Sequence, residues 1–319
     1  MSLLSFKEIV EVTSKENLYF DTQQHNNRDT SIYFKLPGHK SLITSIKYYY
    51  EHNTNNDYLI TASNDHTIII WNITNLSKYT SNPKMYLNCT DKNVKHLIGH
   101  KDKITSFDVY YDPLSTLHFV ISCALNDKIK IWDVNTGEHM RELYDRTSSY
   151  KGTYESLIKC VHISNKNYLF TVSNDNVVKI WDFDAAKVLN AVKACDNNVN
   201  GSIIQIKYYT SYNAILLIDN KGTCGIWYIE SDNDIKIINM KMNREGGMTR
   251  KGVEFFNDNQ MIVYGNTGSM WLYDLEDTKF VDKRRVLDKG ITWVQVVDTG
   301  DKKIIALHCE DQRLKLFSV

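Results

Sequence analysis

His39, Ser63 and Asp65 are the side-chain types of a general base, a nucleophile and the acid that orients the base, and the chemistry such a set performs is acyl transfer. No G-x-S-x-G elbow frames a serine for that task anywhere in the sequence. His308-Cys-Glu310 matches the first half of a zinc-deaminase signature, but no P-C-x-x-C follows to complete the ligand set. His96 and His100 stand four apart, a spacing that brings two ligands together on a helix, whereas here it falls on a strand and the turn beyond it. Gly246-Gly247 lacks the G-x-x-x-x-G-K-[ST] frame that cradles phosphate. The reading is therefore of a chain that is not an enzyme, with no catalytic, cofactor-binding or metal-ligating residues. What needs explaining is why histidine, serine, aspartate and tryptophan recur together.

The elements that carry them repeat. Leu59-Ile-Thr-Ala-Ser-Asn-Asp65 leads to Ile69-Ile-Trp-Asn72, Val120-Ile-Ser122 to Lys130-Ile-Trp-Asp133, and Leu169-Phe-Thr-Val-Ser-Asn-Asp175 to Lys179-Ile-Trp-Asp182. Each copy reads as a strand, a tight polar turn and a second strand ending in Trp. Gly38-His39 and Gly99-His100 precede the first two. Weaker copies close on Ile226-Trp-Tyr228, Leu272-Tyr-Asp274 and Leu316-Phe-Ser318, and Leu18-Tyr-Phe-Asp-Thr22 with Ile32-Tyr-Phe-Lys-Leu36 reads as the end of another unit. Taking Phe20, Trp71, Trp132, Trp181, Trp227, Tyr273 and Phe317 as equivalents gives spacings of 51, 61, 49, 46, 46 and 44. The 61 reflects a polar insertion between Asn72 and Asn93. Ahead of the hairpins, Ile43 to Tyr48, Ile104 to Val109, Ile204 to Ile206 and Ile291 to Val296 alternate as half-buried strands do. Outer strands are expected at 94–98, 140–144, 188–192, 235–238 and 285–287.

These motifs resemble the WD-repeat β-propeller family, whose signature is a GH dipeptide, a WD dipeptide and about 40 to 45 residues per four-stranded blade. The resemblance implies an all-β fold, a single propeller domain over 1–319, with 38–319 supplying six repeats and 1–37 a degenerate N-terminal blade or closing strands. Seven blades are expected, with six the alternative. The end units supply about three strands each, two short of the ideal set between them, so either residues 1–36 give the closing strand of a six-bladed ring plus an extra lobe, or a seven-bladed ring has an incomplete seam. The same resemblance implies that the His, Ser and Asp are structural: His39, Ser63, Asp65 and Trp71 form a buried hydrogen-bond tetrad. Partial tetrads are implied at His100 and Trp132, where Ala124 and Asn126 occupy the Ser and Asp places, and at Ser173, Asp175 and Trp181, which lack the GH.

Composition bounds the function. The 319 residues carry 38 basic and 38 acidic side chains, and a zero net charge argues against a nucleic-acid binder driven by counterion release. Six scattered cysteines without a C-x-x-C pair read as buried thiols of a reducing compartment. The opening Met1 to Phe6 is too short for a signal core and no apolar run is long enough for a membrane span, so an intracellular protein of the cytoplasm, the nucleus or both is expected. The resemblance implies a non-catalytic scaffold or adaptor, a subunit of a hetero-complex that presents loops to other proteins or peptides. Lys40, Lys101, Lys103, Arg244, Arg250 and Lys251 are the partner-binding candidates, on loops shared with the hairpin turns at Asn64, Asn126, Asn174, Asn220 and Glu310. Two alternatives stay open: a module recognising a modified peptide such as a phosphodegron or histone tail, and an open propeller completed by a partner's strand.

Overall fold

Second strands such as Leu59 to Ser63 and Phe119 to Ala124 are almost uninterrupted apolar runs, and that composition requires a sheet covered on both faces. The computed structural model describes residues 7–13, 38–74, 93–145, 153–194, 201–210, 213–220, 223–228, 235–239, 250–257, 259–277, 279–286, 288–298, 303–310 and 313–318. They form 24 strands in six four-stranded antiparallel sheets, and among them no helix is long and apolar enough to cross a membrane.

Two compact units divide the chain. One, built mainly from residues 37–80 and 87–196, holds three sheets. The first sheet is β2 (Ile43–Glu51), β3 (Asn56–Ser63), β4 (Thr67–Asn72) and β5 (Val94–Ile98). The second is β6 (Ile104–Asp112), β7 (Leu117–Ala124), β8 (Ile129–Asp133) and β9 (His139–Leu143). The third is β10 (Glu155–Ile163), β11 (Lys166–Ser173), β12 (Val177–Asp182) and β13 (Lys187–Lys193). Neighbouring sheets stack face to face in the β-propeller manner, burying Ile60, Ile68, Phe107 and Trp132 between the first two and Ile121, Ile131, Cys160 and Trp181 between the next two.

The other unit also holds three sheets. The fourth sheet is β14 (Ile203–Tyr209), β15 (Ala214–Asp219), β16 (Thr223–Tyr228) and β17 (Ile235–Asn239). The fifth is β18 (Arg250–Phe255), β19 (Gln260–Gly265), β20 (Ser269–Asp274) and β21 (Lys279–Arg285). The sixth is β22 (Ile291–Asp298), β23 (Lys303–Cys309), β24 (Arg313–Ser318) and, as its outer strand, β1 (Lys7–Thr13). Six sheets are thus found among the described residues, the alternative count. The seam read as incomplete is occupied there by the chain's own first strand, which pairs antiparallel with β24 from Lys7↔Ser318 to Thr13↔Arg313. Phe20 and the strands expected at 18–22 and 32–36 lie outside the described residues.

Register explains the spacing of the aromatic residues. Trp71, Trp132, Trp181, Trp227, Tyr273 and Phe317 each sit opposite the same position of the second strand: Leu59, Val120, Leu169, Ile215, Met261 and Ile305. A second regularity is hidden in the first strands. All six carry a β-bulge at their second residue, namely Thr44, Thr105, Ser156, Ile204, Lys251 and Thr292. In the first three sheets the bulge hydroxyl donates to a carbonyl of the second strand, Thr44 to Ala62 at 3.2 Å, Thr105 to Cys123 at 3.2 Å and Ser156 to Val172 at 2.8 Å. The outer strand expected at 285–287 instead ends at Arg285. The Asp274 carboxylate accepts the Glu276 and Asp277 amides, tightening the turn so that the chain re-enters the sheet at Lys279.

Candidate functional site

The turn end of the first two sheets is built outward from a buried indole. Trp71 Nε1–H donates to Thr61 Oγ1 at 3.1 Å, the Thr61 hydroxyl meets His39 Nε2 at 2.8 Å, and His39 Nδ1 meets Asp65 at 3.0 Å. In the second sheet Trp132 reaches Ser122 at 2.9 Å, Ser122 reaches His100 Nε2 at 2.7 Å, and His100 Nδ1 reaches Asp127 at 2.8 Å. The carboxylates at Nδ1 can only accept and so take the Nδ1–H, which in the neutral imidazoles leaves Nε2 to accept the hydroxyl proton while the hydroxyl oxygen accepts the indole N–H. Burial holds His39 and His100 below the usual histidine value despite the adjacent carboxylates. Burial alone would raise Asp65 and Asp127, yet hydrogen bonds, from Thr67 to Asp65 and from His100 to Asp127 foremost, bring both below the usual range.

The glycine of each GH pair has a packing reason. A Cβ on Gly38 would stand 2.6 Å from Ile69 Cδ1 and 3.1 Å from the Trp71 ring, and one on Gly99 would stand 3.2 Å from Trp132.

All three expected tetrads are corrected. Ser63 lies two residues past Thr61 on the same strand, beyond reach of the indole, and works on the turn: its hydroxyl donates to Ser41 O at 3.1 Å and accepts the Asp65 amide at 3.1 Å. The second tetrad is complete rather than partial, because Ser122 and Asp127 fill the places assigned to Ala124 and Asn126; Asn126 takes the left-handed position of the turn at φ 50°. In the third sheet Thr171, not Ser173, receives the Trp181 N–H at 2.9 Å, while Ser173 bonds Asp175 and the Val177 carbonyl. The missed signal is a constant interval: the hydroxyl precedes its Trp by ten residues in all three sheets. Thr61 is fully buried with its oxygen committed, so the His39 and Asp65 pair serves structure and not a nucleophile. Thr61→Val, which keeps the shape and removes the hydroxyl, is expected to cost about 1–3 kcal/mol in urea unfolding, against less than about 1 for Ser63→Ala.

Each tetrad also fixes the loop that precedes its sheet. Asp65 accepts the Lys40 amide at 2.7 Å and Asp127 the Lys101 amide at 3.1 Å. The loops are zipped to the turns by Asn64 N–H to Leu42 O at 2.9 Å and Leu125 N–H to Lys103 O at 2.9 Å. Lys40, Lys101 and Lys103 are exposed at this shared end of one unit. Arg244 lies outside the described residues. Arg250 and Lys251 are strand residues rather than loop residues, since β18 begins at Arg250 and Lys251 is its bulge.

A polar layer runs beneath, where the sequence alone showed only strand. Lys47, Asp108 and Lys159 occupy one register position in β2, β6 and β10; Asp108 pairs with the Lys47 ammonium and with Lys159 at 3.0 Å, and accepts the Cys160 amide at 3.0 Å. In the other unit the same position pairs Lys207 with Glu254.

Comparison with known proteins agrees with this geometry. The model of the WD domain, G-beta repeat family matches residues 30–72, 91–133 and 145–182. A probable coatomer subunit beta' of Schizosaccharomyces pombe is 23% identical over 186 residues, covering 58% of this chain and 21% of that protein. Protein hir1 of the same organism is 28% identical over 166 residues, covering 47% and 15%, and mitochondrial division protein 1 of Aspergillus clavatus is 31% identical over 96 residues, covering 30% and 13%. The chain therefore spans about a fifth or less of the length of these relatives.

Proposed function

Because the chain belongs to the WD-repeat β-propeller family, a family of protein-interaction scaffolds, we propose that it acts as a non-catalytic adaptor within a multiprotein complex, presenting the turn end of its first sheets to a protein partner. The observation that carries this reading is the double use of Asp65 and Asp127. Each closes a buried tetrad on one side and pins the backbone of an exposed loop, at Lys40 or Lys101, on the other. A loop fixed in this way loses little conformational entropy when a partner lands on it. An intracellular setting is supported by Cys123 and Cys160, buried free thiols; burial pushes the Cys123 thiol up to about 12.

The test is affinity purification of the tagged full chain from native cells, beside a variant whose loop residues 40–42 and 101–103 are replaced by Gly and Ser. Proteins that co-purify with the wild type and are lost from the variant at unchanged thermal stability are the expected result. Recovery of the wild-type chain alone at every salt concentration would overturn the reading.

A further inference from the structure

The acidic and basic groups at this turn end are segregated by depth. Asp65 and Asp127, with side chains only 9% and 5% exposed, are spent on histidines and backbone amides. Asp108 beneath them is 3% exposed and shared by two ammonium groups. The cations face the other way. Lys40, Lys101 and Lys103 are exposed, and among the described residues no carboxylate pairs with them. Lys47 and Lys159 keep about a third of their side chains accessible, 30% and 29%. Asp102 is half-buried and turned onto the Lys103 amide at 2.7 Å. At the third sheet the pattern stops, because Asp175 is exposed at its turn. Two large apolar side chains are exposed at this end, Leu42 at 64% beside Lys40 and Ile98 at 72% just before the second loop.

A surface whose anions are buried or, like Glu142 at 31% exposed, held by Lys128 and Lys130, and whose other cations are solvated, projects positive potential although the chain as a whole is neutral. Resting on the adaptor reading above, we infer that the turn end of the first two sheets docks an acidic segment of a partner protein, rich in Asp and Glu and carrying one large aliphatic residue that covers Leu42. Lysines are point charges spread over two loops, a layout that suits successive carboxylates along an extended chain; a single phosphate is better held by the planar fork of arginine. Three lysines on two loops offer few phosphate contacts, and counterion release from nucleic acid grows with their number. The preset backbone at Lys40 and Lys101 lowers the ordering cost, and the attraction is of the salt-screened kind.

The experiment uses the full chain and fluorescence anisotropy with three labelled probes: a twelve-residue peptide of Glu and Asp with one central Leu, the same peptide carrying phosphoserines on a Ser and Gly background at equal charge, and a twelve-nucleotide single-stranded DNA. The Glu and Asp peptide is expected to bind tightest, to weaken between 50 and 300 mM salt, and to lose about 10- to 100-fold in affinity in the K40E/K101E/K103E variant. That variant is expected to melt as the wild type does, since the three side chains are exposed and the bonds from their loops to Asp65 and Asp127 come from backbone amides. Equal binding of the peptide to both proteins overturns the inference, as does tighter binding of the phosphopeptide or the DNA. If the peptide fails while co-purifying partners persist in the triple variant, the docking inference falls and the adaptor reading stands. If the wild type recovers no partner but binds the peptide as described, the reverse holds.

Discussion

Trp132→Ala is expected to lower the unfolding free energy by about 4 kcal/mol or more, one of the two largest effects of any single change considered. The side chain is buried, and two costs add. Removing the indole leaves a cavity among Ile104, Phe107, Val120 and Ala124 that the interlocked strands cannot close. It also removes the donor that sets the hydroxyl of Ser122 and through it the orientation of His100, whose ring meets the indole edge to face at 6.0 Å. Trp132→Phe separates the two, since the ring volume is largely kept and the N–H lost; about 2 kcal/mol is expected. Combining Trp132→Phe with Ser122→Ala is then less than additive, because the indole–hydroxyl bond is lost in both single variants, whereas the Ser122 bond to His100 goes only with the hydroxyl. Urea unfolding of the wild type, Trp132→Ala, Trp132→Phe, Ser122→Ala and the double variant measures these losses. A Trp132→Ala loss below about 1 kcal/mol, or full additivity of the pair, would mean that the indole is not what links the core of this sheet to its turn.

The part of the fold legible in the sequence is the part carried by side-chain volume. Trp71, Trp132, Trp181, Trp227 and Tyr273 recur because each buried ring fills the same gap at the same register, a register position that Phe317 shares, so one large aromatic per sheet leaves a visible period. Phe20 carries the same aromatic character and lies outside the described residues. What stayed hidden depends on which residue of one strand faces which residue of another. Ser63 and Thr61 are both hydroxyls on one strand face, and only the diagonal from Trp71 selects Thr61. Likewise the bulges displace each first strand by one residue, so Lys251 could not be placed by counting from a loop. The Lys47, Asp108 and Lys159 layer has no local motif at all: its members lie more than fifty residues apart and meet only because three strands share a register.

That layer gives the second large effect. Asp108→Ala is expected to cost about 2–4 kcal/mol, the range for breaking a buried ion pair reduced because both lysine tips remain partly solvated. The Cys160 amide is orphaned at the same time. Asp108→Asn keeps the shape and an acceptor for that amide, so the part of the loss that it reproduces belongs to charge. Burial alone would raise this carboxyl, but the Lys159 and Lys47 ammoniums and the Cys160 amide hold it well below the usual carboxylate range. A depressed folded value means that the stabilisation is complete above the unfolded value of about 3.9 and is lost as pH falls toward the folded one. His39, His100 and His118 are also held low by burial, so wild type and variant alike lose stability as pH drops below about 6.5. Their contribution cancels in the difference between wild type and Asp108→Asn. That difference, followed by urea unfolding, is expected to stay level from pH 7 to about pH 5 and to shrink from about pH 4 downward. A difference that already closes between pH 7 and pH 5 would assign the charge to the histidines instead and remove Asp108 as the ionic tie between the first three sheets.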